Sequence, residues 1–124
     1  MRMWMISPSI LCDKHLLGEH TEIHKFMRFL YAGKNIDARY KYEPQIELCS
    51  LQTRHDELAI EIDKRAKVKK TNGHRTDIDI DLSLIKRTYP QYFDIKVDIE
   101  YNIKDLSDRC ILCKNNMRLS KKIY

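Results

Sequence analysis

The sequence has no apolar run that approaches the roughly 20 residues a helix needs to cross a bilayer. Its first residues also lack the layout of a signal peptide, because Ser7, Pro8 and Asp13 interrupt the apolar stretch early. No internal repeat and no low-complexity segment stands out. These absences argue against a membrane helix, and we expect an intracellular protein located in the cytoplasm.

Cysteine is scarce, and the four that are present do not form two pairs. Cys110 and Cys113 have the C-x-x-C spacing of zinc ligands, but Cys12 and Cys49 are isolated in the sequence. In a reducing compartment we expect four free thiols, at least two of them packed as small apolar groups. A zinc ion is the alternative, and it would be structural rather than catalytic.

The length and the charge narrow the class of protein. A chain of 124 residues is long enough for one domain that buries about two-thirds of its unfolded surface, and we expect a single domain over residues 1–124. Lys and Arg number 23 against 18 Asp and Glu, which gives a net charge of +5. This balance favours a polyanionic partner, most simply nucleic acid.

The first third of the chain carries an amphipathic helix. Ser7 and Pro8 are typical of a helix start, and Gly33 is typical of the position just after a helix end. Apolar residues recur at three- and four-residue spacing, with His20 filling one gap. The stripe consists of Leu16, Ile23, Met27 and Leu30.

The polar face of this helix is the most promising place for chemistry. His15, Glu19 and Glu22 lie at positions i, i+4 and i+7, so they share one face, turned away from the apolar stripe. Positive charge surrounds the same turns, at Lys14, His24, Lys25 and Arg28. One helix therefore offers carboxylates and imidazoles within reach of the chain's own α-amine.

The rest of the chain is less specific. Cations and rings alternate over residues 39–42, which suits phosphate contacts and base stacking or forms a solvated loop. Apolar spacing predicts a second helix over residues 51–67 and a last helix over residues 99–117, before a basic tail. Strict alternation over residues 77–84 predicts a short strand, whose aspartates make a solvent face rather than a metal site.

A specific motif runs through the first 33 residues: Ser9-x-Leu11-x-Asp13-x-His15-Leu16, then Glu19, Glu22 and Gly33-Lys34. It resembles the pyrimidine-dimer DNA glycosylase family of the endonuclease V type, known from bacteriophage and some microbial genomes. Looser matches continue over residues 54–65, 90–93 and 103–109. The resemblance implies an all-α fold, a single compact domain of about three helices with long connecting loops, and it argues against the strand at 77–84. It also implies a nucleoid-associated location and allows a phage origin.

The resemblance implies a mechanism. In that family the N-terminal α-amine is the nucleophile and a glutamate of the first helix is its acid–base partner; in this sequence they fall on Met1 and Glu22. The amine attacks the sugar, displaces the base and forms an imine, and β-elimination then nicks the strand. An α-amine has a pKa near 8, so roughly a tenth of it is neutral at pH 7, against well under a thousandth of a lysine. No metal and no cofactor is required.

The family's DNA contacts fall on five residues that should mostly hold phosphates of a distorted duplex: Arg2, Lys14, His15, Lys25 and Arg109. The implied partner is damaged double-stranded DNA, without a membrane, and the protein is expected to be a monomer. Two departures bear on lesion preference: Thr21 replaces an arginine of the family, and only Tyr124 remains of an aromatic cluster in the tail.

Three functions are consistent with these residues. The first is a DNA repair glycosylase with abasic-site lyase activity on ultraviolet-induced cyclobutane pyrimidine dimers. The second keeps the imine chemistry and changes the lesion to abasic sites or oxidised bases. The third is a non-catalytic, basic, helical DNA-binding protein in which Glu22 is a surface carboxylate.

Overall fold

The computed structural model describes residues 2–69 and 79–121, with the surroundings of side chains over 2–66 and 79–119. Across these residues the chain forms five α-helices: α1 (Asp13–Tyr31), α2 (Leu51–Lys69), α3 (Leu82–Thr88), α4 (Ile99–Arg109) and α5 (Ile111–Lys121). Two short 3-10 helices, Asp37–Tyr40 and Leu48–Ser50, lie between α1 and α2. The all-α class is confirmed, but the expectation of about three helices is too low.

Helix α1 begins later than the Ser7-Pro8 signal predicts. The Ile10 N–H donates to the Ser7 carbonyl over 3.0 Å, so these residues form a turn, and Cys12 in an extended conformation is the N-cap of α1. The Ser7 hydroxyl is hydrogen-bonded to the Ser9 hydroxyl over 2.9 Å and does not cap the helix. At the other end the prediction is confirmed, because Gly33 follows the helix with φ +69°, which glycine adopts without steric cost.

The single helix predicted over residues 99–117 is two helices. Cys110 has extended backbone angles (φ −134°, ψ 110°), which end α4 and allow α5 to start one residue later. The apolar spacing continues across this break because Leu106 before it and Cys113 after it are both buried in the same core. Periodicity therefore could not reveal the break. Much of the predicted tail is also helical, since α5 continues to Lys121.

The alternation over residues 77–84 does not produce a strand in its described part. Residues 79–81 are irregular, and α3 begins at Leu82. The side chain of Asp81 accepts a hydrogen bond of 3.0 Å from the Leu84 N–H, so this aspartate is a helix cap. The strand prediction is wrong here because a local cap competes with the period-two pattern, while residues 77 and 78 lie outside the described residues.

The N-terminal lead-in, residues 2–6, is held on three sides. The Met3 N–H donates to the Gln45 carbonyl (2.8 Å), and Asn102 of α4 donates to the carbonyls of Met3 and Trp4 (3.2 and 3.0 Å). Arg54 of α2 donates to the Ile6 carbonyl (2.7 Å). These contacts fix the lead-in beside α1, which packs against α2. None of the described helices is long and apolar enough to cross a membrane.

Candidate active site

A cavity of about 440 Å³ opens between the lead-in, the first half of α1, the connection after it and the end of α4. Its walls bring together five of the predicted site residues: Arg2, Lys14, His15, Glu22 and Arg109. Trp4, Gly18, Glu19, Arg39 and Gln45 complete the lining. Four of the five predicted DNA contacts and the predicted catalytic carboxylate thus share one cavity.

Glu22 is exposed and lines this cavity as well as a neighbouring one of about 240 Å³. The fifth predicted DNA contact, Lys25, lies only in the neighbouring cavity, with Phe26, Phe29 and Arg39. The rings of Phe26 and Phe29 are stacked with their centroids 5.6 Å apart. Glu22 therefore stands between a polar cavity and a smaller one with an aromatic wall.

The predicted nucleophile, Met1, lies outside the described residues. Its neighbour Arg2 lines the main cavity and is tied to other parts of the chain. The Arg2 guanidinium pairs with Glu43 (2.7 Å), donates to Asn102 (2.9 Å) and lies 5.6 and 5.5 Å from the ring centroids of Trp4 and Tyr101. These contacts make Arg2 an anchor of the lead-in, with less freedom to follow a phosphate than the predicted DNA contact implied.

Glu19 is not turned away from the apolar stripe as predicted, because it lies three residues after Leu16 and four before Ile23, both of which are buried. It is buried at the cavity floor with 2% of its surface exposed, and Arg54 binds it through Nε and through Nη2 (2.8 Å). The Trp4 N–H adds a hydrogen bond of 3.3 Å. Burial raises the pKa of Glu19, and the hydrogen bonds and charge of Arg54 offset part of that effect.

Arg54 is a residue that the sequence reading missed, although a signal was present. It lies three residues after Leu51 and four before Leu58, on the apolar stripe of α2. A charged side chain at such a position requires a buried partner. The pair connects α1 to α2 underneath the cavity.

Other cations line the cavity from the remaining sides. Arg109 is 65% exposed and pairs with Asp105 over 3.0 Å. Arg39 belongs to the alternating segment 39–42 and lines both cavities. Its neighbour Tyr40 is packed instead, stacked on Tyr92 with centroids 4.2 Å apart, and burial raises its pKa. Only part of the alternating segment is thus available to a ligand.

Three cysteines and a histidine meet beside the main cavity, so Cys12, which is isolated in the sequence, has two cysteine neighbours in the fold. The Cys12 sulfur lies 3.1 Å from His15 Nδ1 and 3.8 Å from the Cys110 sulfur, and the Cys113 sulfur lies 3.7 Å from His15 Nδ1. The missed signal is the spacing Cys12-x-x-His15, which matches Cys110-x-x-Cys113. Cys49 is not a member of this group.

The pKa values of three members of this group are shifted in different directions. Burial and the charge of Lys14 lower the pKa of His15, which favours its neutral form. Burial raises the pKa of Cys113 to about 12. For Cys110, burial acts in the same direction, but hydrogen bonds from the backbone and side chain of Cys113 and from Cys12 outweigh it and lower the pKa.

Three histidines form a second convergent group on the interface between α1 and α2. His24 Nε2 lies 3.1 Å from His20 Nε2 and 3.3 Å from His55 Nε2. His55 and its neighbour Asp56 are joined by a contact of 3.0 Å at Nδ1. The four-residue and the three-residue group are the two in the described part of the chain whose ligand atoms could hold a metal ion.

A comparison with protein families gives one match. Residues 1–74, more than half of the chain, match the model of a family described as pyrimidine dimer DNA glycosylase. No curated protein and no solved structure matches the chain. The matched part contains both predicted catalytic residues and four of the five predicted DNA contacts, whereas Arg109 and the C-x-x-C pair lie beyond it.

Proposed function

The chain belongs to the pyrimidine dimer DNA glycosylase family, and on that premise we propose that residues 1–124 form a DNA repair glycosylase with abasic-site lyase activity. Its substrate is duplex DNA with ultraviolet-induced cyclobutane dimers. The observation that carries the proposal is the main cavity, where the Glu22 carboxylate faces a set of cations beside the lead-in. The cations of this cavity suit the phosphates of a DNA strand, and the carboxylate would then face the sugar between them.

The nucleophile in this proposal is the α-amine of Met1, the residue that precedes Arg2 of the cavity wall in the sequence. The proposal requires Met1 to be the first residue of the mature protein and to have a free amine. Such an amine is the most nucleophilic nitrogen the chain can offer at neutral pH, because its ordinary pKa near 8 lies well below that of a lysine.

The reaction proceeds in balanced steps. The amine nitrogen bonds to the anomeric carbon while the bond from that carbon to the base breaks. The released base takes up a proton and stays joined to its partner pyrimidine through the cyclobutane ring. The sugar ring opens to an imine as its ring oxygen is protonated. Loss of a proton from the adjacent carbon then expels the 3′ phosphate and nicks the strand. Glu22 stabilises the cationic sugar and transfers these protons, the usual work of a positioned carboxylate.

DNA binding divides between the two cavities. Lys14, Arg39 and Arg109 hold phosphates around the main cavity, a contact that positions the duplex without reading its sequence. The smaller cavity offers the exposed ring of Phe29, backed by the buried Phe26, for stacking beside Lys25. Attack on the sugar requires a nucleotide to leave the helical stack, and we assign the smaller cavity to an extrahelical base.

A second candidate keeps the amine chemistry and changes the lesion to abasic sites or oxidised bases. It is favoured by Thr21, which is exposed on α1 next to Glu22 and contributes no cation there. A weaker hold on the dimer would then leave the lyase step intact. A comparison of substrates separates the two candidates.

The test uses three labelled duplexes, one with a single cyclobutane dimer, one with an abasic site and one undamaged, all without added metal. The wild-type protein should nick the first two and spare the third. We expect Glu22→Gln to lose at least about 100-fold in nicking rate, the range of a general acid–base group, while it still binds the dimer duplex. The matched control is Glu100→Gln, an exposed glutamate of α4 outside both cavities, which should nick like the wild type. Nicking of the abasic duplex alone would favour the second candidate, and no nicking of any duplex would contradict both.

A further inference from the structure

The starts of α1 and α5 each contribute two side chains, three residues apart, that converge on one point. Helix α1 has Cys12 as its N-cap and His15 three residues later. Helix α5 follows directly after Cys110 and has Cys113 three residues later. The pair Cys12 and His15 therefore faces the pair Cys110 and Cys113. All four ligand atoms lie within 4.8 Å of one another.

Two of the separations match those of a tetrahedral metal centre, whereas the Cys12 sulfur and His15 Nδ1, 3.1 Å apart, would have to separate by about 0.4 Å. With Zn–S bonds of about 2.3 Å and Zn–N bonds of about 2.0 Å, two sulfurs of a tetrahedron are roughly 3.8 Å apart, and a sulfur and a nitrogen roughly 3.5 Å apart. The Cys12 and Cys110 sulfurs are 3.8 Å apart, and the Cys113 sulfur is 3.7 Å from His15 Nδ1. A disulfide would need about 2.05 Å between sulfurs, so these cysteines are not bonded to each other.

The surroundings of the sulfurs also suit thiolate ligands. The Cys12 N–H donates to the Cys113 sulfur over 3.2 Å, and the Cys113 N–H donates to the Cys110 sulfur over 3.5 Å. Such N–H donors stabilise the negative charge of sulfur ligands and fix their orientation. Cys12 and Cys113 are buried, so any ion held there is largely shielded from solvent.

We propose that Cys12, His15, Cys110 and Cys113 bind one zinc ion as a structural site. Three thiolates and one imidazole fill all four tetrahedral positions, which leaves none open for catalysis. The ion ties the start of α1 to the junction of α4 and α5, which are about 100 residues apart in the sequence. Lys14 and Arg109, each adjacent to a ligand, are thereby fixed in the cavity wall.

The site assigns a different role to His15 from that of a phosphate contact. Its Nδ1 is the atom near both sulfurs, so ligation leaves Nε2 as the nitrogen that His15 can present to the cavity it lines. The zinc itself does not depend on the proposed repair activity, since its ligands and its test are independent of DNA.

The test measures metal content in protein produced with zinc and purified without chelator. Cys110→Ser and Cys12→Ser should each contain one zinc fewer than the wild type. Cys49→Ser is the matched control, since Cys49 is outside the group, and it should keep the full zinc content. Equal zinc in the wild type and Cys110→Ser, or an equal loss in Cys49→Ser, would overturn the site.

A second measurement needs no variant that might fail to fold. Cobalt(II) added to metal-free, reduced wild-type protein should give the sulfur-to-cobalt charge-transfer absorption of thiolate ligation and the intense visible bands of tetrahedral cobalt. Zinc should abolish both and should protect three of the four thiols from a thiol reagent. Reduced protein that gives no such absorption, and whose thiols react equally with and without zinc, would overturn the proposal.

The three histidines carry a second inference on different grounds. The Asp56 carboxylate contacts His55 at Nδ1, which orients the ring so that its Nε2 points towards the other two histidines. His24 Nε2 lies 3.1 Å from His20 Nε2 and 3.3 Å from His55 Nε2, so three ring nitrogens converge on one point. A carboxylate behind a histidine is the usual support of a metal ligand.

From this convergence we infer that His20, His24 and His55 hold a second divalent transition-metal ion, with imidazole ligands suited to zinc. Zinc titrated into metal-free wild-type protein should show two binding events. His24→Gln should lose one event and keep the cobalt–thiolate absorption of the cysteine site, whereas Cys110→Ser should show the reverse pattern. His24→Gln with the zinc capacity of the wild type would refute the histidine site without affecting the cysteine site.

Discussion

Arg54→Met tests how the floor of the cavity is held. The side chains of Arg54 and Glu19 are 1% and 0% exposed, and the substitution removes both guanidinium bonds to the carboxylate and the bond to the Ile6 carbonyl. Glu19 would keep only the Trp4 N–H in a buried place. Removing one partner of a buried pair costs about 3–5 kcal/mol. That loss is a large share of the roughly 5–15 kcal/mol by which a domain is stable.

The assay is urea unfolding, followed by the fluorescence of Trp4, the single tryptophan, and by far-ultraviolet circular dichroism. Arg28→Met, at an exposed arginine of α1, is the control and should change the free energy of unfolding by no more than about 0.5 kcal/mol. The double variant Glu19→Leu/Arg54→Met removes both charges and should be at least about 2 kcal/mol more stable than Arg54→Met alone. A loss below about 1 kcal/mol in Arg54→Met, or no recovery in the double variant, would show that the pair of Glu19 and Arg54 does not hold the cavity floor.

Three further predictions concern binding, stacking and the backbone. Lys14→Ala and Arg109→Ala should each weaken DNA binding to all sequences alike and reduce the slope of log affinity against log salt by about 1, measured by fluorescence anisotropy at several salt concentrations; an unchanged slope would remove these residues from the phosphate contacts. Phe29→Ala should lose about 1–3 kcal/mol of binding to a dimer duplex, the value of a base–aromatic stack, with a smaller loss on undamaged DNA; equal losses on both would argue against an extrahelical base in the smaller cavity. Gly33→Ala should destabilise the protein by about 1 kcal/mol in thermal unfolding because of the φ of +69°, whereas Gly18→Ala, within α1 with open space around a Cβ, should not.

Local patterns predicted the parts of the fold that local forces decide. The apolar stripe of α1, the end of that helix at Gly33 and the extent of α2 follow from side-chain spacing and backbone preference within one segment. The face with His15 and Glu22 also follows from helical geometry, and both residues line the main cavity. Each of these features needs no knowledge of a distant residue.

Tertiary partners decided the rest. The charge pair of Glu19 and Arg54 joins residues 35 apart, so spacing within α1 places Glu19 beside Leu16 and Ile23 but does not identify its partner. The break at Cys110 was hidden because α4 and α5 bury the same apolar spacing on either side of it. The meeting of Cys12 with Cys110 depends on how two helix starts pack, which spacing alone does not specify.

Borohydride trapping on a dimer-containing duplex is the sharpest test of the proposed amine mechanism, because borohydride reduces an imine to a stable bond between protein and DNA. We expect a covalent adduct on the damaged duplex, none on the undamaged duplex, and a linkage that peptide mapping assigns to the α-amine of Met1. N-terminal sequencing of the same preparation establishes whether that amine is free. A free amine with no adduct on either dimer or abasic DNA, or an adduct mapped to a lysine, would show that the Met1 α-amine is not the nucleophile.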